Sequence, residues 1–257
     1  MTIVAIVVVV PLSALVLSLH GITPAGFIAT AFSPSALAAY RLSFGAALLA
    51  SSIDVVAGAA IAFALVRYRS PAMRLLDALV DVPFALPPAV TGITLATLYG
   101  PHGWIGALLA RHGIAVAYTP AGIVLALAFV GMPFVVRTAQ PVIAALPREY
   151  AQAAASLGAS PFTIARRITL PLVAPAFLTG FALALARTLG EYGSVIFIAG
   201  NMPGKTEIVP LIIVTRLEQY DFSGAAAVAL VSLAVSFVML VTINALQRRL
   251  LGARSAA

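Results

Sequence analysis

The chain has 257 residues, of which 62% are hydrophobic and only 9% charged, and its mean hydropathy is +1.08. A soluble globular domain is nearer half apolar and about a quarter charged, so no water-soluble core could absorb these side chains, and the reading is a polytopic, all-α integral membrane protein. A net charge of +7 would suggest nucleic acid in a soluble protein, but no aromatic residues interleave with the basic ones to stack bases. The absence of cysteine excludes disulfides and thiolate metal sites. His20, His102 and His112 are scattered, with no carboxylate or second histidine at ligand spacing, so no metal site is expected.

A helix needs about 20 apolar residues to cross about 30 Å of hydrocarbon. Six segments meet or approach that length: Ile3–Leu19, Leu42–Val66, Leu79–Tyr99, Pro120–Val136, Leu172–Ile198 and Gly224–Leu246. The first lacks a basic start, and "SLHGIT" offers no small-residue cleavage site, so it reads as a span rather than a signal peptide. So abrupt an apolar beginning leads us to expect residues upstream. Midway along the second span stands Asp54, without an evident local partner. The third begins "DVPFALPPAVTG", where Pro83, Pro87 and Pro88 predict a kinked or broken helix, made either for packing or to line a cavity. The fourth runs into a connection of about 34 residues (138–171) that is long for a simple turn.

The fifth span carries "ARTLGEYGSVIFIAG", with Arg187 and Glu191 four residues apart and hence expected on one helix face. A charge at bilayer depth costs about 2.5–3.5 kcal/mol on insertion scales and therefore faces protein or a watery path. Two readings stand: a structural ion pair that locks neighbouring helices, or an anion path lined by Arg187. After this span, "AGNMPGKT" (Ala199 to Thr206) fits a loose P-loop pattern. A working P-loop needs a preceding strand and a following helix; this copy follows a span, and Met202-Pro203 removes a donor, so it is rejected. Ile208–Val214 is apolar for only seven residues, too short to cross, and reads as an outer re-entrant or lid segment.

Orientation follows from Lys and Arg. Of the 15, ten (Arg67, Arg69, Arg74, Arg137, Arg148, Arg166, Arg167, Arg248, Arg249 and Arg254) fall on one side of the six-span topology. Four (Arg41, Arg111, Lys205 and Arg216) fall on the other, and Arg187 lies within a span. Both termini and the long connection are therefore expected in the cytoplasm, and residues 1–257 are expected to form a single transmembrane domain.

Within the long connection, Pro147 can open a helix whose Tyr150, Ala153, Ala154 and Leu157 share one face. Gly158 is a natural C-terminal cap, and Ser160-Pro161 starts a second helix bearing Arg166 and Arg167 that is expected to stop at Pro171. Taken physically, this helix–turn–helix is either a handle for another protein's groove or an amphipathic linker on the headgroups.

The same stretch resembles the cytoplasmic EAA loop of permease subunits of bacterial ABC importers, with the pattern E-A-A-x3-G-x9-I-x-L-P. Ala153, Ala154, Gly158, Ile168, Leu170 and Pro171 stand at matching positions, and Gln152 stands where the pattern has Glu. That departure removes a charge that could pair with the partner. "LVDVPFALPPAVTGITLATLYGPHGWIG", "AFVGMPFVVRTAQPVI" and "LGEYGSVIFIAGNMPGKTEIVPLIIVTRLEQYD" extend the resemblance to the sulfate/thiosulfate permeases, specifically the first of their two permease chains. The molybdate/tungstate permeases are similar. The resemblance implies a six-helix permease of a bacterial inner membrane that neither binds ATP nor does chemistry. It implies a second, homologous permease chain (or a second copy of this one), two ATPase subunits that carry the ATP and magnesium, and a periplasmic sulfate-binding protein. The rival from another class is an ion-coupled secondary transporter that uses Asp54, Arg187 and Glu191 as a relay. The elaborate docking loop and the lack of an internal repeat argue against it.

Overall fold

The computed structural model describes the backbone of residues 5–255, and the described residues are helical with no strand. Twelve helices follow one another: α1 (Val10–Leu17, preceded by a π turn at Ala5–Val9), α2 (Pro24–Ala31), α3 (Pro34–Arg67), α4 (Pro71–Ala85), α5 (Pro88–Tyr99) and α6 (Trp104–Ala110). After them come α7 (Pro120–Ala144), α8 (Arg148–Ser156), α9 (Pro161–Leu189), α10 (Val195–Ala199), α11 (Val209–Glu218) and α12 (Phe222–Ser255). Six of these open on a proline. At the first helical position the missing N–H is no loss and the fixed φ is already helical, so half of the element starts are written as proline. Hydroxyls reinforce several of them: Thr23 Oγ1 accepts from the Gly26 N–H, and Ser70 Oγ from the Met73 N–H at 3.3 Å.

Four helices are long and apolar enough to cross a membrane, namely α3, α7, α9 and α12 up to Arg248; α4 and α5 qualify as a fifth when taken together. The second and fourth expected spans fall inside α3 and α7, and the sixth inside α12. The expected third span, Leu79–Tyr99, is not one helix. Leu86 is extended (φ −79, ψ 131) ahead of Pro87 and Pro88, as a residue before proline tends to be, and the helix restarts as α5. The expected fifth span, Leu172–Ile198, is likewise interrupted: α9 ends at Leu189, and Gly190 to Ser194 form a turn before α10. Of the first expected span, residues 5–17 are helical, fewer than a full crossing requires. Ile3 lies outside the described residues, as do the chain ends, Met1 and Ala257, that were expected in the cytoplasm.

Two compact units make up the chain. One comprises Met1–Ala47, Pro88–Ala126 and Leu189–Met239. In it Ala36, Ala39 and Tyr40 of α3 pack with Val209 and Ile212 of α11 and Val228 of α12. The orphan N–H at the start of α11, on Val209, donates to Ser43 Oγ at 2.9 Å, and the Tyr40 hydroxyl donates to the Val228 carbonyl. The segment Ile208–Val214 is thus the opening of a short helix wedged between longer ones.

The other unit comprises Leu48–Pro87, Leu127–Thr188 and Leu240–Ala257. Its core is built from Val135, Val136 and Ala139 of α7 with Val173, Ala176, Phe177 and Ala184 of α9. Gly180 of α9 lies so close to α7 that a Cβ there would come within 2.8 Å of the Val135 Cα. Small residues at such a crossing let helix backbones touch where lipid supplies no hydrophobic drive. Elsewhere the apolar surface looks outward: in the most apolar window of α12 only 17% of the residues are buried, and Phe237 and Val238 are exposed. Lipid or other chains must cover them.

Candidate functional site

The connection from α7 to α9 folds as a helix, a turn and a helix. Pro147 is the N-cap rather than the first residue of α8, which runs from Arg148 to Ser156. Gly158 takes the left-handed conformation (φ +82), where a Cβ would be strained. The orphan carbonyls of α8 are closed by the Gly158 N–H on Ala155 O at 2.9 Å and the Ala159 N–H on Ala154 O at 3.0 Å. Two residues on, Ser160 Oγ accepts from the Thr163 N–H at 3.2 Å and Pro161 begins α9. The turn is therefore fixed by backbone chemistry on both sides of Gly158.

The expectation that the second helix stops at Pro171 is corrected. Pro171 has no N–H for the ladder, and its ring crowds the preceding turn. The chain widens there into a π turn at Ala165–Thr169 and continues unbroken to Leu189. The loop is thereby continuous with a helix long and apolar enough to cross a membrane.

Both faces of α8 are open, for Glu149, Gln152 and Ser156 of the polar side are exposed as well as Tyr150 of the expected apolar side, and only Ala151 and Ala154 are half-buried. Leu157 is 89% exposed and Tyr150 is exposed as well, as are Gln152 and Ala153, while Ala154 is half-buried. Phe162, unremarked in the sequence, adds to them at 74% exposure. Farther along, Ile168 and Pro171 are half-buried and Leu170 is exposed.

Arg137, read from the sequence as a loop charge, lies inside α7 because that helix runs on to Ala144. Its guanidinium uses all five N–H donors. Nε and Nη2 form a fork on the two Asp81 carboxylate oxygens at 2.8 and 2.6 Å. Nη1 donates to Asp77 Oδ1 at 2.5 Å and Gln140 Oε1 at 2.7 Å, and Nη2 to the Asp77 carbonyl at 2.8 Å. The pairing ties α4 to α7. It was missed, although Asp77 and Asp81 at i, i+4 signal two carboxylates on one helix face.

The three ionisable residues singled out in the spans are placed differently from one another. Asp54 of α3 is fully buried, and neither carboxylate oxygen has a hydrogen-bond partner among the described residues; Ser51 Oγ, one turn earlier, has none either. Gly131 of α7 makes the room, since a Cβ there would overlap Asp54 Oδ2. Glu191 lies past the end of α9 and not on a helix face four residues from Arg187. It is buried, and its Oε1 accepts from the Ser194 N–H at 3.1 Å and the Ser194 Oγ at 2.9 Å. Arg187 sits on the last turn of α9, on its exposed side.

The loop resembling a P-loop folds in on itself. The N–H groups of Lys205, Thr206 and Glu207 all donate to Met202 O, and Thr206 Oγ1 accepts from the Met202 N–H. Those donors hold the loop closed, and the element before it is the helix α10. Beside it, burial pushes the Glu207 carboxyl above its usual range, with the Arg216 guanidinium acting in the opposite direction.

Several long apolar helices, one pair of them a broken span, joined by an exposed helix–turn–helix, mark a multi-pass membrane protein. The chain belongs to the family of binding-protein-dependent transport system inner membrane components, whose model matches residues 54–252. It is 47% identical over 247 residues to a probable sulfate transport system permease protein of Nephroselmis olivacea, covering 95% of this chain and 87% of that one. It is 46% identical to the sulfate transport system permease proteins of Salmonella typhimurium and Escherichia coli, covering 96% of this chain and 89% of theirs. Among solved structures it is similar in fold to a bacterial ABC transporter involved in the import of the acidic polysaccharide alginate. The TM-score there is 0.77 at 16% identity, covering 96% of this chain and 91% of that one.

Proposed function

We propose that the chain is a permease subunit of an ABC importer for sulfate, which lines the anion pathway and takes its drive from a separate ATPase. The observation that carries the substrate is the 46–47% identity, over nearly the whole chain, to proteins named as sulfate transport system permeases. The drive enters at the α8–α9 turn. Its exposed Tyr150, Leu157 and Phe162 offer an apolar ridge of the kind a groove accepts, and the continuous α9 passes the motion onward.

The complete machine on this reading contains this chain, a homologous second permease chain or a second copy, two ATPase subunits holding ATP and magnesium, and a periplasmic sulfate-binding protein. This chain itself holds no cofactor and catalyses nothing. The arginine-rich ends face the cytoplasm of a bacterial inner membrane. No cationic pocket is required in the path, because backbone N–H groups and helix N-termini hold oxyanions without full counter-charges.

Replacing Gly158 with Val tests the coupling. Its Cβ would meet nothing within 4 Å, so the change strains only the turn. The variant should insert normally yet lose ATP-driven sulfate uptake by about 5- to 150-fold, the loss expected from about 1–3 kcal/mol of backbone strain placed on the docking element. Uptake at the parental rate would refute the coupling role.

A further inference from the structure

Two adjoining crevices, of about 420 and 620 Å³, open beside the turn between α3 and α4 and share Leu65, Arg69 and Gln140. Arg74 stands in the wall of the first, and Arg148 in that of the second. The charges there are unevenly satisfied. Arg137, also in the second crevice, is saturated by Asp77, Asp81 and Gln140. Arg69, Arg74 and Arg148 form no ion pair among the described residues, and each is exposed. The two carboxylates of the cluster are thus committed to one guanidinium, and three cations are left in the walls of the adjoining crevices, with Arg69 common to both. The remaining wall is mixed, with Leu65, Val66, Met73 and Pro141 forming an apolar part beside Tyr68, Ser70 and the Asp77 already held by Arg137.

We propose that this arginine crevice is a binding site for a tetrahedral oxyanion, either the phosphodiester headgroup of an anionic phospholipid or a free sulfate ion. Arginine presents forked donors suited to such oxygens, and basic pockets at the ends of membrane helices bind anionic headgroups. The apolar part of the wall beside the cations suits a ligand that carries acyl chains. The crevices adjoin the loop, since Arg148 opens α8, but Tyr150, Leu157 and Phe162 line neither of them, and the test does not depend on the transport reading.

The test uses the purified full-length chain in phosphatidylcholine nanodiscs, with thermal melting as the readout. In one arm phosphatidylglycerol replaces part of the phosphatidylcholine. In the other, sodium sulfate is titrated against sodium chloride of equal ionic strength. A rise in melting temperature with phosphatidylglycerol assigns the site to lipid, and a rise with sulfate assigns it to the free ion. In either arm the half-effective concentration should increase about fivefold for each arginine lost in Arg69→Gln, Arg74→Gln and Arg148→Gln. Arg166→Gln with Arg167→Gln is the control, since both arginines are exposed and line neither crevice. The proposal is overturned if neither source stabilises the parent chain, if the crevice variants respond as the parent does, or if the control pair weakens the response as much. The last result would make it bulk surface charge.

Discussion

The contact between α7 and α9 sets the spacing of the unit that carries the loop, and it can be tested with two substitutions of identical chemistry. Gly180 and Gly45 both lie inside long helices, so Gly→Ala gains the same helix propensity at each, about 1 kcal/mol. The surroundings differ. At Gly180 a Cβ would sit 2.8 Å from the Val135 Cα and 3.5 Å from the Phe134 carbonyl, whereas at Gly45 nothing lies within 4 Å. Comfortable carbon contacts are about 3.5–4.0 Å, so Gly180→Ala intrudes by close to 1 Å on backbone that cannot rotate away. Overpacking of that kind costs about 1–3 kcal/mol. The propensity term cancels between the two variants, so Gly180→Ala should be less stable than Gly45→Ala by about 1–3 kcal/mol. At roughly 2–4 °C per kcal/mol for a chain of this size, the melting points of the detergent-purified proteins should differ by several degrees, with Gly45→Ala the higher. Equal melting points would refute the close crossing of α7 and α9.

Further outcomes follow from the same geometry. Leu157→Asp should leave the melting point within about 0.5 kcal/mol of the parent, as an exposed substitution does, while sulfate uptake falls; a matched loss of stability would mean that the ridge is packed against this chain. Arg137→Ala should destabilise by about 1–3 kcal/mol, an amount held down because Asp77 and Asp81 are 45% and 51% exposed. Asp77→Asn with Asp81→Asn in the Arg137→Ala background should recover part of the loss, and no recovery would contradict the pairing. Glu207 binds its proton more tightly in the folded chain than in the unfolded one, so its contribution is complete below the ordinary carboxylate range and is lost as pH rises through the raised folded value. Melting points of the parent should therefore decline relative to Glu207→Gln as pH is raised from about 4, and parallel curves would contradict the burial of Glu207.

How much of this was legible in the sequence depended on whether the signal was local. The turn at Gly158 and the cap at Ser160 were readable because each is fixed by residues within one turn of itself. So were the apolar lengths of α3, α7 and α12. The interruptions were harder. "LPP" announced a disturbance in the third span, but whether a helix kinks or restarts depends on what receives the freed backbone groups. Glu191 showed a related limit: i, i+4 spacing implies a shared face only while the helix continues, and Gly190 and Gly193 end it. Pro171 misled in the opposite sense, because a proline that ends a helix in water is absorbed here by a π turn. Asp77 and Asp81 lie 56 to 63 residues before Arg137 and Gln140, so their meeting is tertiary information. Only the unmatched pair of carboxylates on α4 pointed to it.

Whether this chain moves sulfate is open to direct test. The direct measurement is uptake of radiolabelled sulfate by cells lacking only this gene, with and without the gene restored, and with excess thiosulfate or molybdate as competitor. Uptake should be lost with the gene, return with it, require ATP and yield to unlabelled thiosulfate. Sulfate uptake unchanged by the deletion, with molybdate uptake lost in its place, would contradict the proposed function.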